Sequence, residues 1–332
     1  MNRQLVERAL AAYDVDWVQI DDEKSGYRNK SYRVIDASER ELNLIFYKSE
    51  PGILERIKRA DAVSEKVADC DLPTRRRFIK KTLCMTSSSG QKHYARLYEY
   101  LPGATIPWES YTKKHIKLLG MAMSDFHFVA SDIDIELPDA SAAGKSLTKS
   151  MNNYFCDENV AEALKEKLNL TINPSVFSLF TRTFQKCEKL PNKIPIHLDL
   201  VRGNVLFGTT DSPWKIKDLS LTGLIDFEKV SRGNAVFDIA RTYGFLLIDC
   251  HKTPPDKLYK YLITSGYNKG GQNQIKLNGE LSKIFHQIVR FYLFYDFYKF
   301  LLHNPYEFLP ENHHFVLTRD ILAAKNMLKY TK

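Results

Sequence analysis

The sequence predicts an α+β fold of two lobes, a small β-rich one followed by a larger, mainly helical one. Three observations carry this expectation. Period-two alternation is concentrated in the first hundred residues, the character changes after "LPG" (101–103), and helical periodicities dominate beyond it. The division is placed at residues 1–101 and 102–332. A chain of 332 residues is long enough for two such lobes, each with a core of its own.

In the first lobe, "SYRVI" (31–35), "LNLIFYK" (42–48), "RFIKKTLCMT" (77–86) and "KHYARLYEY" (92–100) read as strands. The turn chemistry of "SSSGQ" (87–91) joins the last two as a hairpin. Between the second and third strands, Ile53, Ile57, Ala60, Val63 and Val67 share one stripe of a helix over 53–70. The second lobe opens with a helix over 111–130 whose apolar face carries Ile116, Leu119, Met123 and Phe126. A loop over 131–144 and helices near 159–168 and 174–189 follow. Strands are expected at "IPIHL" (194–198), "GNVLF" (203–207) and "LTGLIDFE" (221–228), with helix beyond about 235.

Composition narrows the function. Hydrophobic residues make up 44% and charged residues 27%, ordinary values for a globular protein. No stretch reaches the ~18 apolar residues that a bilayer-spanning helix needs, and "MNRQLVERALAAYDVDW" has no apolar signal core. Cys70, Cys84, Cys156, Cys187 and Cys250 are odd in number and lack CxxC spacing. They argue against a disulfide framework or zinc site and for a reducing, cytoplasmic setting. The net charge of +8 raises the question of nucleic acid. The one dense basic run, "RRRFIKK" (75–81), reads as a strand with a solvated face, so no nucleic-acid partner and no membrane is expected. A basic surface serves a phosphate-bearing small molecule equally well.

Chemically able side chains concentrate in "HLDLVRGN" (197–204), which runs straight into apolar Val205, Leu206 and Phe207. Alone, this stretch reads more readily as a polar turn before a buried strand. Asp226 ends a later apolar strand, and two strands of one hairpin can bring Asn204 and Asp226 together. Phosphoryl transfer to a hydroxyl requires a carboxylate to orient the hydroxyl and accept its proton. It also requires oxygen ligands for Mg²⁺ and a cation on the phosphate oxygens.

These residues resemble the signature of the aminoglycoside phosphotransferase and choline kinase superfamily, small-molecule kinases with a bilobal protein-kinase-like fold. The pattern H-x-D-x-x-x-x-N followed by I-D-[FWY]-E is matched at His197, Asp199, Asn204, Asp226 and Glu228, and the next block at Gly233 and Asp238. Upstream, "GYRNKSYRV" (26–34) resembles the hairpin that covers the nucleotide, with Gly26 and Asn29. "LIFYK" resembles the strand whose lysine, Lys48, contacts phosphates. "LYEYLPG" (97–103) is similar to the hinge, where the backbone of Glu99, Tyr100 and Leu101 meets adenine. "SDFHFVA" (124–130) resembles a Leu-His helix end, with Phe126 in the leucine position. The resemblance covers about residues 20–245.

It implies a small-molecule kinase using ATP and Mg²⁺. Asp199 would be the catalytic carboxylate, Asn204 and Asp226 the metal ligands, and His197 a brace for the loop. Glu228 would support the metal strand, and Asp238 would accept backbone N–H groups near the catalytic loop. Lys48 would need a carboxylate on the following helix, with Glu65 the first candidate, then Asp61, then Glu55. The sequence departs from the pattern at Val201, where many relatives carry a polar residue. It departs again at Arg202, often a proline, which could contact phosphate or substrate or make a loop-stabilising salt bridge. The long segment between Asn204 and Asp226 is expected to extend a turn away from the site.

Other features read as structural. His127 fits a satisfied core histidine, His313 and His314 fit the surface, and the aromatic run at 291–300 fits core packing better than a cage for choline. Residues 251–332 hold twelve Lys or Arg against six Asp or Glu, a bias unsuited to polycationic aminoglycosides. The expected acceptor is a hydroxyl of a sugar, an amino alcohol such as choline or a hydroxy amino acid such as homoserine. The alternatives are an aminoglycoside phosphotransferase and a catalytically weak nucleotide-binding regulatory protein of the same fold.

Overall fold

The computed structural model describes residues 3–25, 29–107, 110–304, 318–320 and 322. The first lobe contains α1 (Arg3–Ala12), β1 (Trp17–Ile20), β2 (Lys24–Ser25), β3 (Lys30–Asp36), β4 (Glu41–Lys48), α2 (Ile53–Ala68), β5 (Leu83–Thr86) and β6 (Lys92–Glu99). Its strands form one antiparallel sheet in the order β1-β3-β4-β6-β5, with β2 paired to β3. Strand alternation on β4 decides what each face does. Leu42, Leu44 and Phe46 pack with Leu5, Val6, Ala9 and Leu10 of α1. Ile45 and Tyr47 take the opposite face, with Ile53 and Ile57 of α2 and Tyr98 of β6. Further along α2, Ala60, Val63 and Val67 join the main core of the second lobe. One helix thus ties the two lobes together.

The second lobe contains α3 (Lys113–Ala130), α4 (Ala140–Phe155), α5 (Glu158–Leu168), α6 (Ser175–Cys187) and β7 (Ile194–Ile196). Then come β8 (Val205–Gly208), β9 (Trp214–Ile216), β10 (Leu219–Leu224), β11 (Ser231–Gly233), α7 (Val236–Asp249) and α8 (Pro255–Tyr259). A π-helical stretch (Lys260–Tyr267), α9 (Asn268–Gly270) and α10 (Gly279–His303) complete it. Two small sheets, β8-β10-β9 and β11-β7, lie among these helices. The aromatic run of α10 supplies core packing: Phe291 meets Phe184 with ring centroids 4.7 Å apart, and Phe294 meets Phe180 at 5.6 Å. None of the five cysteines is paired. No described helix is long and apolar enough to cross a membrane.

The structure corrects several sequence expectations. Of the strand expected at 77–86, only Leu83–Thr86 is regular. The residues before it stay beside β6 only through an isolated Arg77–Tyr98 bridge and the Phe78 N–Leu97 O bond, with Arg77 ion-paired to Glu65 and Arg76 to Asp69. The basic run is therefore no solvated strand face. The loop expected at 131–144 gives way at Ala140 to α4, whose N-cap Asp139 accepts from Ala142 N at 2.8 Å. Its small, polar composition hid it, and smallness is what the packing needs: a Cβ on Gly144 would lie 2.3 Å from the ring of Phe184. The segment between Asn204 and Asp226 is more than an outward turn. It adds β9, and Trp214 is fully buried, with its indole N–H donating to Asp125 of α3 at 2.9 Å. The pair His313 and His314 lies outside the described residues.

The chain passes from β6 to the second lobe through a tight crossing. Ala104 and Phe207 exchange two backbone hydrogen bonds of 2.9 Å, and Thr222 Oγ1 donates to the Pro102 carbonyl at 2.6 Å. Gly103 there has φ +105°, and a Cβ on it would lie 2.3 Å from Thr222 Oγ1 and 2.8 Å from the Phe207 carbonyl oxygen. Gly103→Ala is therefore expected to destabilise the protein by roughly 2–4 kcal/mol through strain and overpacking. Denaturant unfolding of the variant measures this loss.

Candidate active site

The site begins with a strained loop after β7. Leu198 has φ +60°, a conformation that a branched side chain holds only when its surroundings impose it. Asp238, at the first turn of α7 and fully buried, imposes it. Its carboxylate accepts the backbone N–H of Leu198 at 2.5 Å and of His197 at 2.8 Å. His127 Nε2 binds the same carboxylate at 2.9 Å and its Nδ1 meets the Tyr267 hydroxyl at 2.9 Å. His127 is thus a satisfied core histidine. His197, also fully buried, donates from Nε2 to the Ile225 carbonyl at 3.1 Å. Burial holds its pKa below the usual histidine value, despite the facing Asp238 and Asp199. A neutral imidazole thus braces the backbone next to Asp226.

The register of β8 against β10 then brings the chemical groups together. Val205 pairs with Leu224, and Ile225 N donates to the Asn204 carbonyl at 3.0 Å. Asn204 consequently lies opposite Ile225, and Asp226 follows one residue on, just past the paired strand ends. Asp226 lies two residues beyond β10 with φ +65°, rather than at the strand tip. Asn204 Nδ2 donates to both the backbone oxygen (2.9 Å) and Oδ2 (3.2 Å) of Asp199.

Asp199 is nearly buried and surrounded by cations. Lys229 Nζ lies 2.7 Å from its Oδ2, and an Arg241 guanidinium nitrogen 3.9 Å from its Oδ1. Burial works against its charge, but Lys229 and Arg241 outweigh that effect and hold its pKa below the ordinary carboxylate value. Arg241 is itself locked by a bidentate pair with Asp296 of α10 (2.6 and 3.0 Å). Neither Lys229 nor Arg241 was singled out from the sequence. Their signals were present but unspecific: Lys229 directly follows "IDFE", and Arg241 lies three residues after Asp238 on α7. Arg202, on a 3-10 turn (Arg202–Asn204), lines a separate cavity with Tyr111, Leu200, Thr242, Phe245 and Asp249.

Glu228, two residues past Asp226, accepts from Asn29 Nδ2 at 2.6 Å. The hairpin side chain of the first lobe therefore reaches the acidic cluster of the second. Burial, and then the nearby Asp226 charge, push the Glu228 pKa up. At the hinge, Tyr100 N donates to Glu41 O at 3.1 Å and Glu99 N to Arg76 O at 2.9 Å. The Leu101 N–H donates to no described residue. Gly26 lies outside the described residues.

The expected lysine–carboxylate pair does not form. Lys48 is exposed and shares strand parity with Phe46, not with Tyr47, which faces α2. Glu65 is held instead by Arg77 in a two-point pair, both contacts 2.5 Å. Asp61 pairs with buried Arg96 and accepts from the Tyr98 hydroxyl at 2.9 Å, and Glu55 pairs with Lys58. Every carboxylate offered for Lys48 on α2 is thus taken by a different cation.

A small antiparallel sheet hinged to a helical lobe, with an Asp-Asn-Asp cluster at their junction, defines a kinase-like phosphotransferase fold. A family model described as "Phosphotransferase enzyme family" matches residues 23–261, and the chain belongs to that family, within the aminoglycoside phosphotransferase and choline kinase superfamily. No curated protein matches the chain by sequence. Among solved structures, it is similar to the amicoumacin kinase hAmiN in complex with AMP-PNP, Ca²⁺ and Ami (11% identity, 97% of this chain and 93% of that one, TM-score 0.68). It is also similar to a microcompartment-associated aminopropanol kinase (15%, 100% and 99%, TM-score 0.68). A third is a Plasmodium vivax ethanolamine kinase (16%, 99% and 86%, TM-score 0.58).

Because Asp238 is a buried charge satisfied by two backbone groups and a histidine, Asp238→Ala is expected to cost about 3–5 kcal/mol of stability. A change below about 1 kcal/mol in denaturant unfolding would contradict the clamping role.

Proposed function

We propose that this protein transfers the γ-phosphoryl group of ATP, with Mg²⁺, to a hydroxyl group of a small molecule. The observation that carries the reading is the convergence of Asp199, Asn204 and Asp226 through the β8–β10 register, with Asp199 held ionised among cations. The donor set fits Mg²⁺, a hard ion that takes one or two protein carboxylates and completes its shell with phosphate oxygens and water. Among the described residues no group of three or more His, Cys, Asp or Glu forms a metal cage. Asp226 and the amide oxygen of Asn204 would hold the ion, with Glu228 in support. The N–H of Leu101, which donates to no described residue, suits an adenine edge at the hinge, with the backbone of Glu99 and Tyr100 beside it.

The bound nucleotide and metal supply the transferable group and neutralise its charge. The protein's own residues do the positioning. Asp199 Oδ1 and Oδ2 orient the acceptor hydroxyl and take up its proton, a role for which an ionised carboxylate is required. Lys229 keeps that carboxylate charged and fixes its direction, the service that Val201 cannot provide two residues after Asp199. His197 and Asp238 keep the loop in register with Asp226.

On the acceptor side, Lys229, Arg241 and Lys299 surround Asp199 and Asp296. Arg241 stacks over Tyr292 at 4.8 Å, and Lys299 lies over Tyr295 at 4.7 Å. Protein cations thus already occupy aromatic faces that an ammonium cage would need. This lining disfavours polycationic aminoglycosides. It leaves a sugar, a hydroxy amino acid, or an amino alcohol whose ammonium group is held without an aromatic cage as the acceptor. An ADP-release screen over those classes and aminoglycosides tests the reading, and ATP binding without transfer to any acceptor would favour a regulatory protein instead.

Two variants probe the roles. Asp199→Asn should lower kcat by about 10²–10⁴ while nucleotide binding survives, the scale of losing a positioned base. The second concerns pH. The ionised form of Asp199 is the active one, so activity falls as pH drops through its lowered pKa. Removing the Lys229 charge raises that pKa, so Lys229→Met should move the acidic limb of the kcat/KM–pH profile to higher pH.

A further inference from the structure

Phosphate oxygens at the junction of the lobes require a cation, and β4 does not bring one there. Ile45 and Tyr47 occupy its inward face, and Lys48 is exposed on the other parity. Building on the kinase reading, we infer that Arg75, from the segment between α2 and β5, supplies the positive charge that meets the phosphates of the nucleotide.

The position of Arg75 carries the inference. Its guanidinium lies over the Tyr98 ring at 4.8 Å and donates to the Tyr47 hydroxyl at 3.3 Å. It lines one cavity together with Tyr47, Asp61, Tyr98, Asp226 and Glu228. Arg76, Arg77 and Arg96 each have a carboxylate within 4.0 Å. Arg75 makes no ion pair with a described residue, although the fields of Asp226 and Asp61 act on it. A guanidinium without an anion, in one cavity with Asp226 and Glu228, is an incomplete electrostatic arrangement. A phosphate beside the guanidinium and a divalent cation beside the carboxylates would complete it. Guanidinium also offers the two-point geometry that phosphate accepts.

Backbone bonding ties Arg75 to the same strand as the proposed metal ligand. Leu224 N donates to the Pro73 carbonyl at 2.9 Å, and Thr74 bridges Leu224 in parallel. Thr74 Oγ1 donates to the Ser64 carbonyl of α2 at 2.7 Å. Arg75 is thus one residue from a bridge whose partner is two residues from Asp226. Arg56 is the other cation near Glu228, but it is paired with Glu50.

Calorimetric titration of the full chain with ATP and with adenosine, both with Mg²⁺, tests this. Arg75→Ala should weaken ATP about 10–100-fold, the scale of charge-assisted hydrogen bonds, and leave adenosine affinity unchanged. Arg75→Lys should recover part of the loss, and Lys48→Ala should change neither ligand. ATP affinity equal to that of the unmodified protein in Arg75→Ala, or a larger loss in Lys48→Ala, would overturn the inference alone. Failure of the unmodified protein to bind ATP would overturn it together with the kinase reading. If Arg75→Ala also lost adenosine, Arg75→Gln decides. Weakened ATP with adenosine retained supports the inference, and equal loss of both overturns it.

Discussion

The site depends on one buried carboxylate. Asp238 accepts two successive backbone N–H groups, of His197 and Leu198, and a histidine nitrogen. Those bonds hold Leu198 at positive φ, and that backbone reversal sets the direction in which Asp199 leaves the loop. The energy stored in the strained residue is of order 1–3 kcal/mol, less than a buried carboxylate gains from full satisfaction. The clamp therefore wins. Since Asp238 belongs to α7, the loop that carries Asp199 is referenced to the helical core rather than to the sheet of the first lobe.

Electrostatics then divide the cluster into two unlike carboxylate environments. Asp199 has cations at both oxygens, so its charge is favoured even in a nearly buried position. Glu228 has a carboxylate neighbour in Asp226 and an amide partner in Asn29, and its pKa is raised. The first environment suits a group that must be ionised to work. The second suits a group waiting for a cation. The same short segment, 226–229, contributes to both, because its 3-10 turn points Glu228 toward the first lobe and Lys229 toward Asp199.

How much of this was legible in the sequence follows from how local each feature is. That the strands leading to Asn204 and Asp226 pair was readable from their apolar runs, although β9 intervenes between them in the chain; the roles of Asp199, Asn204 and Asp226 came from the family resemblance. The backbone-accepting role of Asp238 also came from the resemblance, since its partners lie 41 and 40 residues away in the chain. Lys48 and Glu65 misled because their expected pairing depends on strand parity. Parity on β4 is set by which alternate residues meet α1, a partner dozens of residues away. The run "RRRFIKK" concealed Arg75, since three adjacent arginines look alike until Asp69 and Glu65 claim two of them. Helix α4 was missed because glycine and serine serve close packing there, which a hydrophobic stripe does not record.

The two lobes meet through three kinds of bond that act at the same place. Helix α2 shares its side chains between the cores, Asn29 reaches Glu228, and the Pro73–Thr74 backbone is bonded to Leu224. A hinge connected only at Leu101–Ala104 would leave the first lobe free to tilt, with any nucleotide-binding group on it moving relative to Asp199. Bonding the segment before Arg75 to β10 removes that freedom for one group in particular. Its backbone is then set by the same strand that leads to Asp226, while its side chain rests on Tyr47 and Tyr98 of the sheet, so this residue is fixed from both lobes. The remaining first-lobe contact, Asn29 on Glu228, is a single side-chain hydrogen bond. Its acceptor is a carboxylate whose charge is disfavoured by burial and by Asp226, so this bond joins the lobes through the acidic cluster itself.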